Sequence, residues 1–196
     1  MLLTRRSTLF ALAALACPHQ LQADPVRYKL DAAASTVGFN FTLNGIAQAG
    51  SMPVLRAEIV IDPDDLAASR VDVTVDVTRA QTPFIFATQA LVGPDVLAAA
   101  QYPTIRFVSQ KVQLAADGRL SGGARISGQL TIRGQTRTVT LKAGVFRPQG
   151  SAPDDLSRLQ ARLTGAISRA AFGATGYPGL VEDEVILDIY AVVHAP

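Results

Sequence analysis

The stretch Gly128–Val145, GQLTIRGQTRTVTLKAGV, specifies a β-hairpin almost residue by residue. Leu130 and Ile132 alternate with Gln129, Thr131 and Arg133, which makes one face apolar and the other wet. Gly134-Gln135 supplies a turn in which glycine takes a positive φ. Val139, Leu141, Ala143 and Val145 then restart the alternation, with Thr138, Thr140 and Lys142 facing outward.

The same period recurs on both sides of this hairpin. Arg27–Leu30 is an opening strand and Ser35–Leu43 a second, with Val37, Phe39 and Phe41 on one face. Asn44-Gly45 reads as a hairpin turn, and Gly50-Ser51 as the start of a return toward Arg56–Asp62. Asp62-Pro63-Asp64-Asp65 ends that strand with turn chemistry. Over Val71–Thr78, valine at 71, 73, 75 and 77 alternates with Asp or Thr, the mark of a strand buried on one face. Thr104–Leu114, Arg119–Arg133, Leu156–Ser168 and Glu184–His194 read as further strands, with turns at Asp117-Gly118 and a polar loop at Pro148–Asp155. Only one segment leaves the pattern. After Thr82-Pro83-Phe84-Ile85-Phe86, the Ala, Leu and Gln content of Ala87–Ala100 predicts helix, divided by Gly93-Pro94-Asp95 into two short pieces. Eight or more short antiparallel strands with one helical excursion indicate an all-β sandwich or closed barrel.

Residues 1–23 read as an export leader, which leaves 24–196 as one domain. Arg5 and Arg6 precede the apolar run Thr8–Ala16, and Leu21-Gln22-Ala23 resembles a cleavage site. The run is too short to span a bilayer, which takes about 20 residues. Thr4–Leu9 partly matches a twin-arginine signal, and Ala14-Leu15-Ala16-Cys17 a degenerate lipoprotein box. Both arginines lie in the leader, so the remainder balances 16 cationic against 16 anionic side chains. Nothing in that balance points to nucleic acid.

Catalytic equipment is sparse. After the leader there is no Cys, and His194 is the one histidine. Ser–His or Cys–His chemistry and the usual zinc sites are therefore disfavoured. Asp64/Asp65, Asp154/Asp155 and Glu182/Asp183/Glu184 are carboxylate groups in turns or loop ends, and acid–base work needs them to converge.

On its motifs the chain resembles the YceI-like family of exported, lipocalin-like isoprenoid-binding proteins. They are Tyr28-x-x-Asp31, Ser35-x-Val37-x-Phe39, Val71–Asp76, and Tyr102-Pro103-x-Ile105-x-Phe107. Gly128-x-Leu130-Thr131-Ile132-x-Gly134-x-Thr136-Arg137, Ser168-Arg169-x-x-Phe172-Gly173 and Val181–Ile189 complete the set. The resemblance implies an extended eight-stranded antiparallel barrel in the periplasm. Its bore would hold a polyisoprenoid or quinone-like lipid, and a membrane cytochrome b561-type protein would be a candidate partner. It implies no cofactor. Between Gln81 and Leu97, where the family often carries acidic and histidine residues, this chain has Pro83-Phe84-Ile85-Phe86-Ala87-Thr88. Arg137 and Arg169 fall on motif positions, where a structural ion pair and head-group contact are both open.

Alternation then nominates the bore wall as Phe39, Phe41, Val73, Val75, Phe107, Ile132, Leu141, Leu187 and Ile189. Phe84, Phe86 and Leu91 are expected to border the entrance, beside the turn-rich loop Gly176–Leu180. A solidly packed stress-response or interaction module is the alternative reading, and a carboxylate-based hydrolase a more distant one.

Overall fold

Alternating strands joined by tight turns must satisfy their edge N–H and C=O groups, and here most do so because the sheet closes on itself through the last strand. The structure, a computed structural model, describes residues 25–62, 65–115, 123–152 and 155–196. The expected leader at 1–23 with Cys17, the turn at Asp117-Gly118, and Asp64 and Asp154 lie outside the described residues. The described residues form ten strand segments: β1 Val26–Leu30, β2 Thr36–Leu43, β3 Ile46–Met52, β4 Val54–Ile61, β5 Arg70–Asp76, β6 Thr104–Leu114, β7 Ala124–Ile132, β8 Gln135–Phe146, β9 Arg158–Ser168 and β10 Val181–His194. Among the same residues one α-helix, α1, covers Ile85–Val92.

The ten segments make eight staves. β1 and β2 lie end to end along β10, with Leu30 opposite Val193 and Thr36 opposite Tyr190. Between them the chain bulges at residues 32–34. Asp31 holds that bulge by accepting from the N–H groups of Ala33 and Ala34, while Ser35 donates to the Asp31 carbonyl and accepts from Val192 N–H. β3 and β4 likewise form one stave interrupted at Pro53, paired to β2 and to β1. From there β4 to β10 run as an antiparallel meander, and β10 closes the ring on β1 and β2. The result is the expected closed eight-stranded antiparallel barrel with a short helical excursion.

Several local details differ from the sequence reading. Gly50 and Ser51 sit inside β3 rather than at a turn. Gly50 lies directly opposite Phe39, whose ring occupies the space a Cβ would need. The hairpin turn is Arg133-Gly134, with φ of 49° and 71°, one residue earlier than expected. Its outer face carries the cross-strand pairs Ser127–Thr140, Gln129–Thr138 and Thr131–Thr136, all hydrogen-bonded at 2.8–3.1 Å. β5 ends at Asp76, whose carboxylate accepts from Thr78 N–H and starts a 3-10 turn. Helix α1 begins at Ile85, and the second helical piece does not form. Instead the chain folds back, and the N–H groups of Leu97 and Ala99 bond the carbonyls of Leu91 and Val92. Burial of Leu97 and Ala99 in the barrel end favours this over helical continuation.

The loops fall at two ends. The helix-bearing end holds the Asn44-Gly45 turn, the excursion 77–103, the Arg133-Gly134 turn and the loop 169–180. The opposite end holds the ends of β4, β6 and β8, the starts of β5, β7 and β9, and both described chain ends. Buried side chains divide in the same way. Phe39, Met52, Val75, Val77, Leu97, Leu130, Ile132 and Phe172 pack together toward the helix-bearing end. Tyr28, Ile59, Leu159 and Val193 form a second cluster at the other, where Tyr28 donates to the Leu156 carbonyl at 2.8 Å.

Carboxylates tie stave ends and neighbouring staves, and their ionised forms are the ones held. Asp31 is lowered below the usual carboxylate range chiefly by the Ala34 N–H bond, Asp183 by Ser168, Asp155 by Ser157 and Asp72 by Arg106. A depressed folded pKa contributes stability that is full at neutral pH and is lost as pH falls through that pKa. The melting temperature should therefore stay level between about pH 7 and pH 5 and fall below about pH 4. Asp31→Asn with Asp183→Asn should flatten that fall in thermal melts; an unchanged profile in the double variant contradicts the assignment.

Candidate functional site

The two core clusters do not meet. Between them Val112, Ile126, Leu141, Ala143, Ala161 and Leu163 point inward and join neither cluster. They line a cavity of about 520 Å³ that reaches from one cluster to the other. That is within the range of about 300–1,000 Å³ usual for small-molecule sites. Its wall is almost wholly aliphatic and aromatic; Ser35, Ser69, Arg169, Tyr177 and Tyr190 are the polar residues that border it.

The sequence-nominated wall residues converge. Phe39, Phe41, Val73, Val75, Phe107, Ile132, Leu141, Leu187 and Ile189 all line the cavity. Phe39 and Phe41 stack with centroids 6.2 Å apart. Glycines let large side chains lie flat along the sheet. A Cβ on Gly128 would come within 2.6 Å of the Phe107 ring, and one on Gly165 within 2.7 Å of Leu141 Cδ2. Of the three entrance candidates, Phe86 and Leu91 line the cavity and Phe84 does not. Phe84 instead stacks against Phe86 at 5.6 Å on the solvent side.

The mouth lies at the helix-bearing end, where Phe86, Tyr177 and Leu180 line the cavity and are also solvent-exposed. The cap over this end is anchored at its two flanks. On one side Ser51 and Gln81 exchange backbone hydrogen bonds, and Val77 and Ala80 are buried. On the other, Arg133 Nη1 donates to the carbonyls of Pro94 and Val96 at 2.7 and 2.6 Å, and Gly176 N–H donates to the Asp95 carbonyl. Helix α1 spans the interval and buries none of its residues. Small residues Ala87 and Ala90 face the bore there, a feature that sequence patterning did not single out.

Arg169 has a role the sequence left open between an ion pair and head-group contact. Its guanidinium donates to the carbonyls of Ala174, Gly176, Val181 and Glu182 at 2.6–3.0 Å. Five donors in a rigid fork suit this fan of acceptors. Phe172 is fully buried, and Gly173 takes a φ of 74° to turn the chain. The Ser168-Arg169-x-x-Phe172-Gly173 motif is thus a loop clamp at the mouth. Arg137 is exposed, and its Nη1 donates to the carbonyl of Thr136.

The carboxylate groups act locally. Asp65 accepts from Ala67 N–H, Asp155 from Ser157 and Asp183 from Ala170, at both ends of the barrel. His194 lies 3.6 Å from Asp31, far along the chain from the mouth segments.

Removing the Arg169 fork leaves four carbonyls short of a donor, which costs about 2–4 kcal/mol. Arg169→Met should lower the melting temperature by about 5–10 °C, and Arg169→Lys should recover little because an ammonium cannot span the fan. Differential scanning calorimetry of the three proteins checks this.

A YceI-like domain matches residues 28–193, nearly the whole described barrel. The chain is 28% identical over 165 residues to protein YceI of Escherichia coli O157:H7, covering 83% of each. It is 25% identical over 142 residues to a UPF0312 protein of Vibrio vulnificus, covering 71% of this chain and 73% of that one. Among solved structures, Burkholderia cenocepacia BcnA superposes with a TM-score of 0.73 at 23% identity, over 84% of this chain and 99% of its own. A polyisoprenoid-binding domain from Saccharophagus degradans superposes at 0.64 with 15% identity, over 87% and 99%. Barrel, motifs and matched span agree, and the chain belongs to the YceI-like family.

Proposed function

We propose that the barrel binds a polyisoprenoid or quinone-type amphiphile in its bore and carries or stores it after export to the periplasm. The observation that carries this reading is the continuous apolar cavity between the two core clusters. Family membership supports it, as does the fold shared with a domain described as polyisoprenoid-binding. A membrane cytochrome b561-type partner belongs to the same proposal. Binding is favoured over catalysis because the cavity wall is almost wholly hydrocarbon, where dispersion and water release dominate the interaction with an occupant.

The size of the bore makes occupancy matter energetically. On the core-mutant scale of about 24 cal/mol per Å³, leaving it empty forgoes packing on the order of 10 kcal/mol. That is comparable with the net stability of a whole domain. A tail that fills the bore regains part of this and gives up chain entropy, so affinity does not grow in proportion to tail length.

Leu163 tests the reading well, because it lines the cavity without belonging to either packed cluster. Leu163→Trp should abolish uptake of a fluorescent isoprenoid analogue while raising the melting temperature of the lipid-free protein by about 2–4 °C through cavity filling. Native mass spectrometry of protein taken from a periplasm should show a bound lipid in the parent and none in the variant. Unaltered uptake by the variant overturns the proposal.

A further inference from the structure

Helix α1, Ile85-Phe86-Ala87-Thr88-Gln89-Ala90-Leu91-Val92, is apolar around nearly its whole circumference. A helix of that kind belongs in a protein core or in lipid. This one is covered on one side only: Ala87, Ala90 and Leu91 line the bore and Leu91 and Val92 pack against the core, while on the outer side Ile85 is 77% exposed and Phe86 61%. It is not alone. Ile46 at the start of β3 is 64% exposed, and Phe84, Tyr177 and Leu180 are exposed at the same end. The three segments that bear these side chains, 43–55, 80–94 and 170–181, contain no charged residue. Nearby Arg133 and Arg169 direct their guanidinium groups onto loop carbonyls. Among the described residues the outer edge of β3 has no strand partner beyond the Ser51–Gln81 bridge, and it carries none of the charges that usually guard an open edge.

We propose that this uncharged apolar collar docks on the surface of a lipid bilayer, with α1, Ile46 and the Tyr177–Leu180 loop entering the interfacial region. The inference rests on the lipid-binding reading of the bore and adds how the lipid is exchanged. An amphiphile of that class resides in a bilayer, and the bore opens inside the collar. Docking joins the hydrocarbon of the membrane to that of the bore, so the tail transfers without crossing water. The absence of charge selects the occupant further. Attachment driven by apolar side chains is independent of anionic lipid and of salt, unlike attachment through a basic patch. A second copy seated on the collar would instead stopper the mouth.

The test uses Ile46→Ser with Ile85→Ser, two exposed positions that do not line the cavity. The parent protein should float with phosphatidylcholine vesicles equally at about 0.1 M and about 1 M salt. The double variant should lose about tenfold or more of that partitioning, since each side chain forfeits its apolar burial. Its uptake of a fluorescent isoprenoid analogue from detergent micelles should be unchanged. Failure of the parent to float, floating only with anionic vesicles, or an undiminished double variant overturns the docking proposal. So does a parent dimer that the substitutions convert to monomer, which assigns the collar to a second copy. Uptake that survives Leu163→Trp counts against the bore reading alone, so the two proposals fail separately.

Discussion

Closure of the hydrogen-bond ring is the constraint on which everything else depends. Once β10 pairs with β9 on one edge and with β1 and β2 on the other, the number of staves and the circumference are set. Side chains can then fill the interior only from the wall inward. The side chains packed together lie in two clusters toward the ends, and those of Val112, Ile126, Leu141 and Leu163 between them line the cavity. An apolar bore is the geometric remainder.

Closure also determines where irregular structure is tolerated. Interruptions at 32–34 and at Pro53 are absorbed because flanking backbone groups still find partners, Asp31 and Ser35 on Val192 in one case and Pro53 on Asp76 in the other. Between β5 and β6 the chain instead leaves the ring altogether and returns as a cap. Two arginines hold the mouth loops in place, each through carbonyls rather than carboxylates. Guanidinium groups used in this way fix the loop backbones at the mouth.

Strand existence and facing were legible in the sequence because period-2 alternation with one buried face is a strong signal. Leu130, Ile132 and Leu141 follow from the opening hairpin, and Phe39, Phe107, Leu187 and Ile189 from the same rule applied elsewhere. Less legible were features that depend on what lies across the barrel. Gly50 reads as a turn residue in isolation, yet it serves as a seat for the Phe39 ring. The Ala and Leu content of residues 94–100 predicts helix for the second half of the excursion, yet burial of Leu97 and Ala99 draws the chain back onto Leu91 and Val92. Phe84 and Phe86 are near neighbours in sequence, and only Phe86 faces the bore.

By itself the sequence determined the all-β class, the faces of the staves, most of the cavity wall and the poverty of reactive groups, since each is a local property of residue type and spacing. Tertiary structure decided the separation of the two core clusters and hence the cavity, the carbonyl-bound state of Arg133 and Arg169, and the exposure of an apolar helix at the mouth. Those are outcomes of which groups meet across the closed ring, and no local pattern encodes the distance between opposite walls.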